Sequence, residues 1–371
     1  MLTCSALVRY VSCGHSNTEG HEIMFNRAST LRCNFPTIFA KVISRAVGVA
    51  VALSLIPSGV AGAADKLSLR LDWTPHGVHA PIFLAAQKGW FEKAGLDVSI
   101  EDGNGSVVAV QLVGVGQFDV GHASLSSVAI ARGKGLPVIS IAGIVRKSDM
   151  GVLIPAGSGW KTAKDLEGKK VAYTAGSLEG PFMDAFFGAS KGKVELLNVD
   201  AATKVGIYLS GEADAVVSTV PYVLPIVKAK RPSDSILFAS AGLALPGFGF
   251  FTTEKKLKEK TEAIKRFTNV VLRSWLYILD GHVDEGVDAI IKERPQVPLN
   301  AQILKDEIEG YRPFMDTENS RNLPFGAQSE VDWANTLHAM EAAGVIKTGS
   351  KPSDYFTNAL IDTANQAGSL K

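Results

Sequence analysis

LDWTPHGVHAPIFLAAQKGWFEKAGLDVSI, residues 71–100, sets the reading of this chain. An apolar stretch runs into a turn that holds Trp73, His76 and His79, and a helix opens at Pro81. Phe83, Ala86, Trp90 and Ala94 fall on one helical face, proline suits the first helical turn, and Gly95 is placed to cap the end. Before the turn, KLSLRLDW (66–73) alternates apolar and polar residues as a strand does, and LDVSI (96–100) supplies the next strand. Strand, helix and strand in succession are the unit of an α/β fold.

The same order repeats downstream. Residues 106–116 read as a helix, 117–124 as a strand entering a loop, 126–135 as a helix and 136–145 as a strand. A second series starts at GVLIPAGSGW (151–160), with a short polar helix at 162–170, a strand at 171–176 and a helix at 181–190. Strand, helix and strand follow at 194–200, 201–211 and 213–222. The Gly- and Pro-bearing stretch 236–253 suits a chain passing between lobes, and a long helix at 261–282 leads into further polar helices. The expected organisation is a first lobe from 65–150, a second from 151–242, and a crossover with return to the first lobe from 243–371. Two such lobes face each other across a cleft. No repeat with a 20–50-residue period and no low-complexity segment is present.

Residues 1–64 read as an address. Arg27, Arg32, Lys41 and Arg45 precede an apolar run from Ala46 to Ile56, Pro57 ends it, and small residues follow at 61–64. This is the three-part pattern of a secretory signal, with cleavage expected after Ala63 or Ala64. The run falls well short of the roughly 20 residues needed to span a bilayer. All three cysteines (Cys4, Cys13, Cys33) lie in this leader. The mature chain therefore has no disulfide, thiol nucleophile or cysteine-ligated metal. The leader also holds five of the 38 Lys+Arg and two of the 37 Asp+Glu, so the mature net charge is near −2. Such a chain lacks the basic footprint of a nucleic-acid binder.

Several stretches together resemble the NMT1/Thi5-like family of periplasmic solute-binding proteins. They are LDWTPHGVHAPIFLAAQKGWFEKAGLDV (71–98), GVGQFDVGHAS (114–124), ARGKGLPV (131–138), DLEGKKVAY (165–173) and GEADAVV (211–217), in that order. The resemblance spans the mature chain. It implies a two-lobed type II periplasmic binding fold with a central ligand cleft and two crossover strands. It also implies hinge closure around a small molecule and delivery to an ABC permease in the inner membrane. A monomeric periplasmic protein without cofactor or catalytic residues is the expectation, and the secretory leader agrees with that location.

The candidate site follows from residue chemistry. Trp73 offers a flat face for a planar ligand, and His76 and His79 offer donors or acceptors at its edge. Ser124 and Ser126, where a strand feeds a helix, and Ser177 in TAGSLEGPF (174–182), sit where exposed backbone N–H groups suit a polar ligand group. Glu179 suits an amino group on a ring, while Tyr222 and Phe248 complete an aromatic box. Each has a plainer reading: a core tryptophan, helix-capping histidines and serines, and core-packing aromatics. Zinc needs at least three ligands in reach, and of the other mature histidines only His122 is placed to join the cluster.

The expected ligand is a pyrimidine-type thiamine precursor or another small aromatic. Sulfonate or nitrate fits less well, because no arginine falls among the candidates. Relatives that bind phosphorylated or formylated pyrimidines tend to read DWxPNxxH, and His76 stands here in place of that Asn. The family also has an enzyme branch that makes the thiamine pyrimidine from pyridoxal phosphate and a histidine of its own chain, using iron held by a cysteine-rich stretch. His79 occupies the matching histidine position, but LALPGFGFF (243–251) stands where the cysteines would be. A serine hydrolase is also disfavoured, since no G-x-S-x-G elbow is present.

Overall fold

The structure is a computed structural model that describes residues 63–363. The leader, its cysteines included, lies outside the described residues apart from Ala63 and Ala64. Among the described residues no helix is long and apolar enough to cross a membrane.

The strands form two mixed sheets. The first contains β1 (Asp65–Arg70), β2 (Leu96–Glu101), β3 (Val120–Ser124), β4 (Val138–Gly143) and β10 (Phe248–Thr253), in the order β2-β1-β3-β10-β4. The second contains β5 (Met150–Pro155), β6 (Lys170–Tyr173), β7 (Glu195–Asn198), β8 (Ala215–Thr219) and β9 (Ser233–Leu237), in the order β7-β6-β8-β5-β9. In each sheet the one strand that arrives from the other lobe, β5 or β10, runs antiparallel to both its neighbours. The remaining pairs are parallel. Residues 144–149 and 238–247 make the two crossings between sheets.

Helices cover the sheets as βα connections require. They are α1 (Ala80–Gln87), α2 (Trp90–Lys93), α3 (Ser106–Gly114), α4 (Leu125–Gly133), α5 (Met183–Phe187), α6 (Ala201–Ser210) and α7 (Val220–Lys228). The C-terminal part adds α8 (Glu254–Glu259), α9 (Thr261–Leu279), α10 (Val283–Glu293), α11 (Ala301–Tyr311) and α12 (Glu330–Ala342). Ile264, Phe267, Val271, Trp275 and Ile278 recur at helical spacing on α9 and are buried against Leu69, Phe83 and Phe250 in the first lobe's core. That burial holds the C-terminal part onto the first lobe.

Local expectations differ from the structure in instructive places. The helix expected to run unbroken from Pro81 past Ala94 is cut at Gly89, whose φ of 64° is left-handed, so α1 and α2 are separate. The strand expected through Trp73 stops at Arg70, because the chain must turn there to carry Asp72 and Trp73 out of the sheet. Residues 162–170 make only a short 3-10 turn (Ala163–Leu166) before β6. Residues 220–222, expected as strand, open α7, since Pro221 suits a first helical turn. Within 236–253 two strand segments, the end of β9 and all of β10, flank the crossing.

β10 passes so close to β4 that a Cβ on Gly249 would lie 2.2 Å from the carbonyl oxygen of Ala142. Neither backbone can yield without losing the ladder. Gly249→Ala is expected to cost about 1–3 kcal/mol, read as a fall of several degrees in a thermal melt. An unchanged melting temperature contradicts this account of the crossing strand.

Candidate functional site

A cavity of about 360 Å³ lies where the carboxyl ends of β1 and β8 and the loop after β6 come together. Ligands in open α/β folds bind at such strand ends. Of the residues singled out in the sequence, Trp73, His76, Ser177, Glu179, Tyr222 and Phe248 line it. His79, Ser124 and Ser126 do not. His79 is fully buried behind His76, and the Ser126 hydroxyl donates to the Pro246 carbonyl at 2.8 Å. Ser124 is buried, and its N–H donates to the Ser106 hydroxyl at 3.1 Å. Asp72, Ser106, Lys204, Ser218 and Thr219 line the cavity as well, none of them singled out beforehand.

The wall on the first lobe is fixed by backbone contacts. The Gly103 N–H donates to the Trp73 carbonyl at 3.0 Å, and a Cβ there would stand 2.1 Å from the Leu71 carbonyl oxygen, so only glycine lets this loop clamp the turn. From the other side α11 reaches in, and the Glu307 carboxylate accepts the Gly77 N–H at 2.7 Å. Trp73 then spans to the second lobe, where its Nε1 donates to the Tyr222 hydroxyl at 3.3 Å. The His76 ring lies 4.6 Å from that of Tyr222, centroid to centroid. Three flat side chains therefore meet at one end of the cavity.

Beneath them sits a carboxylate shared by two imidazoles. Asp72 Oδ1 lies 2.9 Å from His79 Nε2 and 2.6 Å from His122 Nδ1. His79 Nδ1 accepts the backbone N–H of His76 at 3.3 Å, so its proton resides on Nε2 and is donated to Asp72. Burial alone would raise the Asp72 pKa, but the charge and hydrogen bond of His122, with the hydrogen bond of His79, hold it well below the usual carboxylate range. His76 is pushed far below its ordinary value, first by burial and then by His79, and is neutral at pH 7. Burial also lowers His79, against the opposing pull of Asp72.

The donor atoms of Asp72, His79 and His122 all lie within 4.8 Å of one another, the composition of a two-histidine, one-carboxylate metal site. The hydrogen-bond directions do not fit one. For His79 Nε2 to offer a lone pair, Nδ1 would have to carry the proton and would then face the His76 N–H. His79 holds a proton where ligation would need a lone pair.

On the second lobe, Lys204 and Glu179 form a buried ion pair, and Glu179 also accepts the Thr174 N–H at 3.2 Å. Lys204 is the one cationic side chain lining the cavity, and Glu179 neutralises it.

Relatives and neighbours agree with this architecture. The family model described as NMT1/THI5 like matches residues 76–282. The chain belongs to that family. It is 25% identical over 304 residues to a formylaminopyrimidine-binding protein of Halalkalibacterium halodurans, covering 80% of this chain and 91% of the relative. It is 28% identical over 231 residues to a 4-amino-5-hydroxymethyl-2-methylpyrimidine phosphate synthase of Saccharomyces cerevisiae, covering 58% and 67%. Among solved structures, the alkanesulfonate-binding protein SsuA of Xanthomonas axonopodis pv. citri superposes with a TM-score of 0.60 at 15% identity, covering 79% of this chain and 98% of that one. The fold is that of the type II periplasmic binding proteins.

Asp149, in the first crossing, is buried with Oδ2 unpartnered, and burial, with the Asp72 charge adding, raises its pKa to about 7. A raised carboxylate contributes stability that is complete below its unfolded pKa and lost as pH rises through the folded value. Asp149→Asn is therefore expected to raise the melting temperature more at about pH 8 than at about pH 5. An equal change at both contradicts the assignment.

Proposed function

We propose that this chain captures a small planar heteroaromatic solute, of pyrimidine type, between its lobes and presents it to an ABC importer. The carrying observation is the cavity's chemistry: Trp73, His76 and Tyr222 gather at one end, the Asp72 and Glu179 carboxylates line it, and Lys204 is already paired. Aromatic faces supply contact area with little loss of side-chain freedom. Asp72, held ionised, and Glu179 suit the amino groups of a ring. A sulfonate or nitrate would gain from an uncompensated cation, and none is among the residues lining the cavity. The formylaminopyrimidine-binding relative supports the same ligand class. Closure requires that the ligand prefer the closed arrangement, as contacts made to both lobes at once ensure. Periplasmic location and the permease partner go with this reading, and binding alone, without turnover, is its chemistry.

The synthase relative in yeast raises the alternative of pyrimidine synthesis. The histidine at the matching position, His79, is buried away from the cavity with both ring nitrogens engaged, which leaves it no access to a cofactor there.

The test is a thermal-shift series on the mature chain, residues 65–371, with pyrimidines, aromatic carboxylates and sulfonates. An aminopyrimidine at 100 times its dissociation constant should add about 2.7 kcal/mol of stability. Trp73→Ala should weaken it at least about tenfold, or 1.4 kcal/mol. Turnover of pyridoxal phosphate with iron, without any ligand-induced shift, sinks the proposal.

A further inference from the structure

A second cavity, of about 230 Å³, adjoins the first and shares Ser177 and Leu178 with it. Its walls are the next turn of α3, with Val107, Val110 and Gln111, and one face of α4. On α4 the lining positions Ser127, Ile130 and Ala131, with Lys134 at its C-cap, recur at helical spacing, so they form a single stripe along the helix.

The direction of the stripe follows from how the two helices start. The Ser124 N–H just before α4 donates at 3.1 Å to the Ser106 hydroxyl, which opens α3 and lines the main cavity. α3 therefore begins at the main cavity and α4 one hydrogen bond behind it, and the lining residues of both continue away from it. Nine residues of α4 at 1.5 Å each put Lys134 roughly 14 Å along the axis from that start. Lys134 is exposed, and among the described residues its ammonium makes no ion pair or hydrogen bond. The lobe 2 loop that carries Ser177 and Leu178 faces this stripe and separates the two cavities. The second cavity is thus an apolar annex to the first with a free cation at its distant end. A ring without substituents leaves it empty.

Resting on the reading of the main cavity as a ring-binding site, we propose that the physiological ligand is a pyrimidine-type ring carrying an apolar chain that ends in an anionic group. The ring occupies the main cavity, the chain passes Ser177 and Leu178 along α3 and α4, and the anion meets Lys134. Gln111 and Lys134 are then specificity-determining positions for the chain, not for the ring.

Calorimetric titration with three probes tests this: 4-amino-5-hydroxymethyl-2-methylpyrimidine, its analogue with a 5-carboxypentyl chain at the same ring position, and the uncharged 5-hexyl analogue. The carboxypentyl compound should bind at least about tenfold tighter than the ring alone, a difference of 1.4 kcal/mol, with the hexyl compound between them. Gln111→Trp, an exposed position where a bulky side chain fills the annex, should bring the ratio of chain-bearing to ring-only affinity toward one. Lys134→Ala should abolish the advantage of carboxypentyl over hexyl. Equal affinity for all three probes overturns the annex and leaves the ring site standing. A chain-dependent gain that survives Gln111→Trp also overturns it. Failure of every probe to bind overturns the ring site, and the annex with it.

Discussion

A buried carboxylate shared by two imidazoles is the interaction on which the cleft depends. Taking Asp72 out of water costs several kcal/mol unless its charge is met by hydrogen bonds. His79 and His122 meet it from two directions, one from the turn after β1 and the other from the middle of β3. Because His79 also accepts the His76 N–H, the same network sets the backbone that carries His76, while a separate backbone clamp at Gly103 sets the one that carries Trp73. Removing the carboxylate would leave His79 and His122 without their shared acceptor. The three histidines that crowd this part of the chain therefore do different things: His122 and His79 position, and His76 lines the cavity.

The exchange of strands between lobes gives this wall something to close against. Because β5 and β10 each enter the opposite sheet antiparallel, the two crossings run side by side. The Gly247 N–H donates to the Val145 carbonyl at 2.9 Å, which ties one crossing to the other. Asp149 sits in the first of them and also accepts the N–H of Val220, at the start of the helix that carries Tyr222. Backbone geometry at the crossings is in this way transmitted to the aromatic residue that faces Trp73.

The fold was legible because its signals are local and periodic: alternation in β1, the apolar face of the helix that opens at Pro81, and Gly95 after it. The turn with Trp73 and His76, and Glu179, Ser177, Tyr222 and Phe248, could be singled out because aromatic and polar residues at element ends stand apart from a periodic pattern. Asp72 could not. It sits at a polar position in an alternating strand and looks solvated until β3 brings His122 beside it, 50 residues on. Lys204 lies on a helix whose neighbours are ordinary, and only the fold pairs it with Glu179. Ser124 and Ser126 look like ligand contacts because strand-to-helix junctions often are. Their partners, Ser106 and Pro246, come from distant segments that no local pattern reveals.

The charge balance of the cavity carries the proposed choice of ligand. With Lys204 neutralised and Asp72 ionised, the proposed ligand is one that donates hydrogen bonds, not one that brings negative charge to its ring end. A crystal structure of residues 65–371 grown with 4-amino-5-hydroxymethyl-2-methylpyrimidine tests this most directly. The ring should lie against Trp73 and Tyr222 with its amino edge toward Asp72 or Glu179, and the Lys204–Glu179 pair should be intact. A ring bound away from these residues, or an anion seated on Lys204 with Glu179 displaced, would contradict it.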